Sequence, residues 1–221
     1  MRSEAYNMDC MEYMRTLPDN SFELAIVDPP YGGVTQGGYS TNQVSGGIAK
    51  NRNDYHLAVW NFSKPSPEYF NELFRVSINQ IIWGGNYFVS ELKKDSQCWL
   101  VWDKEKPEGV KYAEVELAWT SFNSRARIFH YMWNGMLQGD MKHKQQKIHP
   151  TEKPVALYEW ILKNYANEGD KILDTHLGSG SSRIAAYNLG FDFVGIEIDE
   201  VYFKQQEERF AKYTDQYRLE L

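Results

Sequence analysis

Apolar and polar positions along this chain switch between short, solidly apolar runs and longer stretches with one apolar side. AYNM, ahead of Asp9, is a short strand candidate. CMEYMRTL after it reads as a helix with Asp9 as N-cap, because a short acidic side chain takes up the first free helical N–H groups. FELAIV (22–27) is a buried strand that runs straight into DPPYGG. NQIIWGG (79–85) and QCWLVWD (97–103) read as two more strands, and VELAWTS (115–121) and ARIFHYMW (126–133) as antiparallel partners of each other. PTEKP opens a helix over 153–165, with Pro154 in a first turn where a missing N–H costs nothing. KILD (171–174) is a strand, 181–189 a helix, DFVGIEI (192–198) a strand, and 200–213 a closing amphipathic helix. Strands separated by helices of this length predict an α/β, Rossmann-like fold: a mostly parallel sheet, covered on both faces, with an antiparallel strand at its C-terminal edge.

Residues 32–53 follow neither period. The run is rich in glycine, holds no core, and sits directly after DPPY, so it is expected to be a mobile lid. With no internal repeat and no interdomain linker, the 221 residues read as a single domain. No secretory pattern and no apolar run of bilayer-spanning length occur, and Cys10 and Cys98 lie far apart without metal-ligand spacing. A cytoplasmic protein away from membranes is the expectation.

A net charge of −6 at first argues against a nucleic-acid partner. The distribution argues otherwise. Residues 123–153 hold Arg125, Arg127, Lys142, Lys144, Lys147 and Lys153 against Asp140 and Glu152 alone, a local +4. Phosphate binding needs a local positive field and not a basic whole protein. The first five of these are expected to face phosphates or base edges, and 122–149 is read as a short recognition insertion.

Two constellations carry chemistry. In KILDTHLGSGSSRIAAYNLGFDFVGIEIDE a strand ends at Asp174, Gly178 and Gly180 follow, a helix starts, and Glu197 ends the next strand. Such glycines let a ligand approach the backbone, and the spaced acid can accept two hydrogen bonds from a ribose diol. The loop GSGSSR lacks the third glycine of a dinucleotide fingerprint and the lysine of a phosphate loop, which favours an adenosine cofactor without a phosphate chain. The second constellation is Asp28, Pro29, Pro30 and Tyr31 at the end of a buried strand. The prolines stiffen the turn and bring no N–H groups, so the Pro29 carbonyl is an outward acceptor beside the Asp28 carboxylate. Tyr31 adds a flat face. Two acceptors and a ring suit a planar substrate bearing an NH2 group.

Together, DPPY at 28–31 and GSG at 178–180 resemble the amino-directed DNA methyltransferases, and more narrowly the adenine-N6 enzymes of phage and bacteria. The order, DPPY first and glycine loop last, resembles the circularly permuted beta class, as do IIWGGNYF, LVWDK, ELAWTSF, HPTEKP and DTHLGSGSSRIAA. The resemblance spans about residues 7–210. It implies that Asp28 and the Pro29 carbonyl hold the target amine, with Pro30 completing the motif and Tyr31 stacking on the base. It assigns Asp174, Gly178 and Gly180 to the donor, S-adenosylmethionine, and Glu197 to its ribose. Asp9 matches the acid near the donor's adenine, and Thr151 and Lys153 the segment near its methionine end. Where relatives often show Asp-Pro-Phe, this chain has Asp174, Thr175 and His176, a change compatible with a site in which only backbone shape matters there. The short 122–149 stretch implies recognition of a short sequence in double-stranded DNA, or a homodimer for grip. Transfer is expected to be direct and in line to a flipped-out base, with no cysteine nucleophile and no metal. The alternatives are cytosine-N4 methylation, whose enzymes usually carry serine at the Asp28 position, and a non-catalytic nucleic-acid-binding protein.

Overall fold

The structure is a computed structural model, and it describes residues 1–32, 64–109, 113–134 and 137–219. Most of the expected lid, 32–53, therefore lies outside the described residues. The elements in chain order are β1 (Ser3–Asn7), α1 (Cys10–Arg15), β2 (Phe22–Val27), α2 (Pro67–Val76), β3 (Ser77–Trp83), α3 (Val89–Leu92), β4 (Leu100–Asp103), β5 (Val115–Thr120), β6 (Arg127–His130), β7 (Trp133–Asn134), β8 (Leu137–Gln138), α4 (Val155–Tyr165), β9 (Lys171–Asp174), α5 (Ser181–Leu189), β10 (Asp192–Glu197) and α6 (Glu200–Leu219).

Eight strands form one sheet in the order β1-β10-β9-β2-β3-β5-β4-β6. The pairs β1–β10, β10–β9, β9–β2, β2–β3 and β4–β6 are parallel, whereas β5 runs antiparallel to both of its neighbours, β3 and β4. The antiparallel strand is thus inside the sheet and not at the C-terminal edge, and β5 and β6 do not pair with each other. The burial of the two strands explains this arrangement. Ala118, Trp119 and Thr120 of β5 are buried and need a neighbour on each side, whereas Arg127, Ile128 and His130 of β6 are exposed and suit an edge.

Alternation along the strands fills two cores. Leu24 and Ile26, Ile81 and Trp83, and Ile172 pack with α4 and α5 residues such as Leu157, Ile161 and Ile184 on one face. Ala25 and Val27, Ile82 and Leu173 pack with Met14 of α1, Phe70 and Leu73 of α2 and Leu92 of α3 on the other. Sequence reading missed α2, although Ser66 at the N-cap, Pro67 in the first turn and Glu68 beside it announce a helix start. The expected cap on α1 is present: Asp9 Oδ1 accepts from the backbone N–H groups of Met11 at 2.7 Å and Glu12 at 3.2 Å. α4 begins at Val155 instead of residue 153, with Pro154 extended at its N-cap. That leaves Lys153 ahead of the helix, free to turn inward. Among the described residues no helix is long and apolar enough to cross a membrane.

The topology places the site. β2 and β9 are neighbours, and from them the chain proceeds in opposite directions, β2 to β3 one way and β9 to β10 the other. Such a switch point opens a crevice at the carboxyl ends of the strands. Asp28 follows the last residue of β2, and Asp174 is the last residue of β9.

Candidate active site

One half of the crevice is built from backbone. Gly178 and Gly180 both have left-handed φ, +52° and +76°, which glycine adopts without strain. Glu197 Oε2 accepts from the Gly178 N–H at 2.8 Å and its Oε1 from the Asp199 N–H at 2.9 Å. Each oxygen keeps a lone pair for a further donor such as a ribose hydroxyl. Burial raises the Glu197 carboxyl, with the backbone N–H groups of Asp199 and Gly178 opposing. Asp174 is turned into its own loop: Oδ1 accepts from the His176 N–H at 3.0 Å and Oδ2 from the Ser182 hydroxyl at 2.6 Å. Burial pushes this carboxyl up to about 7, against those two bonds. Asp174 therefore shapes the glycine loop from within.

The Thr175–His176 pair is more than a matter of backbone shape. Tyr69 Oη lies 2.7 Å from Thr175 Oγ1, which lies 2.9 Å from His176 Nδ1. Burial lowers His176 to about 4, so the ring is neutral near pH 7. If Tyr69 donates to Thr175 and Thr175 to Nδ1, the ring proton is on Nε2. Arg209 of α6 closes this half from behind. It donates to the Ser179 carbonyl at 2.9 Å, Ser181 Oγ at 3.0 Å and Gln145 Oε1 at 3.0 Å, and pairs with Glu152 at 3.4 Å.

The other half is built from charges. Asp28 Oδ1 accepts from the Tyr31 hydroxyl at 2.6 Å, and Oδ2 accepts from the Lys153 ammonium. Lys153 Nζ also lies 3.0 Å from Glu116 Oε2, and Glu116 Oε1 pairs with Lys104. Four charges of alternating sign thus run from Lys104 through Glu116 and Lys153 to Asp28. The side chains of Lys153, Lys104 and Glu116 are 2%, 8% and 9% exposed, and only Asp28, at 15%, opens outward. Burial works to raise Glu116, but Lys153 and Lys104 bring it down to about 2. Burial raises Asp28, Lys153 opposes, and the Glu116 charge adds to the rise. For Lys153, burial works downward, but the Asp28 and Glu116 carboxylates prevail and raise it.

The Tyr31 ring stacks on Tyr87 with centroids 5.0 Å apart and meets Phe88 edge-on at 5.9 Å. A Cβ on Gly84 would fall 2.1 Å from Tyr31 Cε1, so the first glycine of IIWGGNYF makes room for this ring. A cavity of about 170 Å³ adjoins it, lined by Tyr31, Gly84, Asn86, Tyr87, Glu116 and Leu117 among others.

Asp9, Asp28 with its prolines and Tyr31, Asp174, Gly178, Gly180 and Glu197 lie at or just beyond the carboxyl ends of β1, β2, β9 and β10. Thr151 is exposed beside His149, with its hydroxyl 3.1 Å from Nδ1. Lys153 is turned inward. Its ammonium is taken up by Asp28 and Glu116, because a buried cation requires counter-charges and these two supply them. The basic stretch is divided. Arg125 and Arg127 are exposed at and beside β6, where Arg127 donates to Asn164 and lies over the Trp160 ring. Lys142 and Lys144 are exposed in a segment held to α6 through Gln145 and Arg209. Lys147, expected to face DNA, is half-buried with its ammonium 4.3 Å from the Trp133 ring centre, and burial lowers it to about 8. Sequence reading missed Glu116, Lys104, Tyr69 and Arg209. A lone acid or base is an ordinary surface residue until packing buries it; the one available signal was Glu116 inside the largely apolar VELAWT.

The N6/N4 family model, described as DNA methylase, matches residues 41–208. The type II methyltransferase M2.MboI of Moraxella bovis is 24% identical over 241 residues, covering 95% of this chain and 88% of the relative. Among solved structures, the complex of M1.HpyAVI with S-adenosylmethionine aligns with a TM-score of 0.58 at 22% identity, covering 93% of this chain and 98% of that one. The cytosine-N4-specific PvuII DNA methyltransferase aligns with a TM-score of 0.59 at 14% identity, covering 99% and 92%. The likeness to these two structures is one of fold.

Proposed function

Because the chain belongs to the N6/N4 family of DNA methylases, we propose that it transfers a methyl group from S-adenosylmethionine to the exocyclic N6 amine of adenine in double-stranded DNA. The observation that carries this reading is the carboxylate of Asp28, bonded to Tyr31 and Lys153 at the switch point of the sheet. The donor fits the other half: two left-handed glycines open the backbone, and Glu197 keeps a lone pair on each oxygen for a diol. When bound, the donor supplies a methyl group on sulfur with a good leaving group.

An aromatic amine is a poor nucleophile because its lone pair is delocalised into the ring. Asp28 and the Pro29 carbonyl accept from its two N–H bonds, favour a more tetrahedral nitrogen, and aim the lone pair at the methyl group. The enzyme's contribution is alignment and fixed acceptors. The target base leaves the duplex to reach Asp28, and the cavity beside Tyr31 and Tyr87 is where its ring is received. Arg125, Arg127, Lys142 and Lys144 hold the DNA backbone.

The fold is shared with a cytosine-N4 enzyme, and the same acceptors serve that amine. The aspartate at position 28, where N4 enzymes usually carry serine, favours adenine. The test is nucleoside separation of duplex DNA after incubation with the protein and methyl-labelled S-adenosylmethionine. Label in N6-methyladenine is the expected result. Label in N4-methylcytosine replaces the adenine reading, and no label in either overturns the transferase reading.

A further inference from the structure

The charge chain ending at Asp28 is longer than the Arg209–Glu152 pair behind the glycine loop, and burying it is costly. Lys153, Glu116 and Lys104 are nearly inaccessible. Buried ion pairs seldom stabilise a fold better than well-packed apolar residues of the same size, so their presence calls for another account. Lys104 and Glu116 already form a complete pair. Lys153 adds a third charge, and only Asp28 balances it. The Lys153 ammonium is held laterally as well, 5.4 Å from the Trp83 ring centre and 5.9 Å from that of Tyr31. Its position is therefore set from several sides, and its free hydrogen-bonding capacity is directed at Asp28 Oδ2 and the Tyr31 hydroxyl, 3.4 Å away.

We propose that Lys153 is the positioning residue of the methyl-transfer step: held by Glu116, which Lys104 pairs in turn, its ammonium keeps the Asp28 carboxylate ionised and aimed, ready to take the amine's proton. This rests on the transferase reading above. In the step, a bond forms between the amine nitrogen and the methyl carbon. The carbon–sulfur bond breaks with its electron pair staying on sulfur, which leaves a neutral thioether. The nitrogen, now cationic, releases one proton to an Asp28 oxygen. An Asp28 already protonated cannot take that proton, and its neutral oxygen is a weaker acceptor for the amine. Burial and the Glu116 charge both push Asp28 toward protonation, and Lys153 is the cation that opposes them. The other groups acting on Asp28, or on which its charge acts, are Tyr31 of its own loop, Tyr158 of α4, Tyr69 of α2 and Asp174 of β9; none is a cation.

The experiment measures single-turnover methylation of duplex DNA by the full chain across pH, with donor affinity measured separately by calorimetry. In Lys153→Met, Asp28 loses its cation. The rate at neutral pH should fall roughly a hundredfold, the acid limb of the profile should move to higher pH, and donor affinity should stay within about threefold. Lys153→Arg keeps the charge and should restore part of the rate with the limb near its original place. In the double variant Lys104→Met/Glu116→Leu, an apolar pair replaces the ion pair and Lys153 is left with Asp28 alone. Its acid limb should move to lower pH, because a like charge beside Asp28 is gone. Opposite shifts in the two variants are not produced by general loss of stability. If Lys153→Met does not fold, the double variant decides: a limb that stays, or moves up, overturns the proposal. A folded Lys153→Met with wild-type rate and limb overturns it too. A tenfold loss of donor affinity with an unmoved limb assigns Lys153 to the donor's methionine end instead. A wild-type protein that labels neither base overturns the transferase reading itself, a different outcome from a wild type that methylates and a variant that matches it.

Discussion

The two halves of the crevice solve the same problem, holding a polar ligand at a sheet edge, by different means. The glycine-loop half uses backbone. Its Glu197 side chain reaches an N–H only 19 residues back, and Asp174 bonds within eight residues of itself. The DPPY half uses side-chain charges brought from afar: Lys153 is 125 residues from Asp28, and Glu116 and Lys104 come from β5 and the segment after β4. A ligand recognised by shape and a diol is met by backbone dipoles and one acceptor side chain, whereas an amine that must shed a proton needs a carboxylate kept charged inside a partly dry site.

The largest effect should separate the halves cleanly. Asp28→Ala should lower methyl transfer by roughly 10²–10³-fold or more, the scale of losing a preorganised acceptor, with donor affinity almost unchanged in calorimetry. A variant that loses donor affinity in parallel would show that the two halves act as one.

Glu197→Ala is the converse. It should weaken donor binding by roughly 1–3 kcal/mol, read as donor dissociation in the same calorimeter, while the rate at saturating donor changes far less. Glu197 also accepts the Gly178 and Asp199 N–H groups, so Glu197→Gln, which keeps one acceptor oxygen, should lie between. Equal affinity in all three proteins would remove Glu197 from the donor site.

The glycine-loop half by itself carries opposite pH signatures in stability. Asp174 stands at about 7 in the fold against an ordinary 3.8, so between those values the folded chain binds more protons than the unfolded one and stability falls as pH rises. His149 and His176 are lowered to about 3 and 4 by burial, and their contribution has the other sign: stability is lost as pH drops below their ordinary 6.5. Asp174→Asn should flatten the decline toward neutral pH and leave the acid loss. Denaturant midpoints across that range check this, and a decline unchanged in the variant would exclude Asp174 as its source.

The smallest expected effect concerns the basic stretch. Neutralising Lys142 and Lys144, the two exposed lysines held near the glycine-loop half through Gln145 and Arg209, should lower the salt slope of DNA binding by about one for every phosphate no longer neutralised. Donor affinity should not change. An unaltered slope in a filter-binding series would make this segment plain solvated surface.

What the sequence determined by itself is what acts locally. Periodicity marks FELAIV, KILD and the helix at 181–189 to the residue, because a strand buried on both faces and a helix with glycines at its ends leave compositional traces. The glycines with their spaced acid and the DPPY turn are legible for the same reason: each does its work on neighbours in the chain. Tertiary structure alone decided that β5 is inserted between β3 and β4, since pairing depends on which strand can be buried on both sides. It also decided that Lys153 stops short of α4 and points into the core, and that Glu116 and Lys104 are waiting there. A charge in a sequence has no sign of its partner; the cost of desolvation, which picks the partner, exists only once the chain has closed around it.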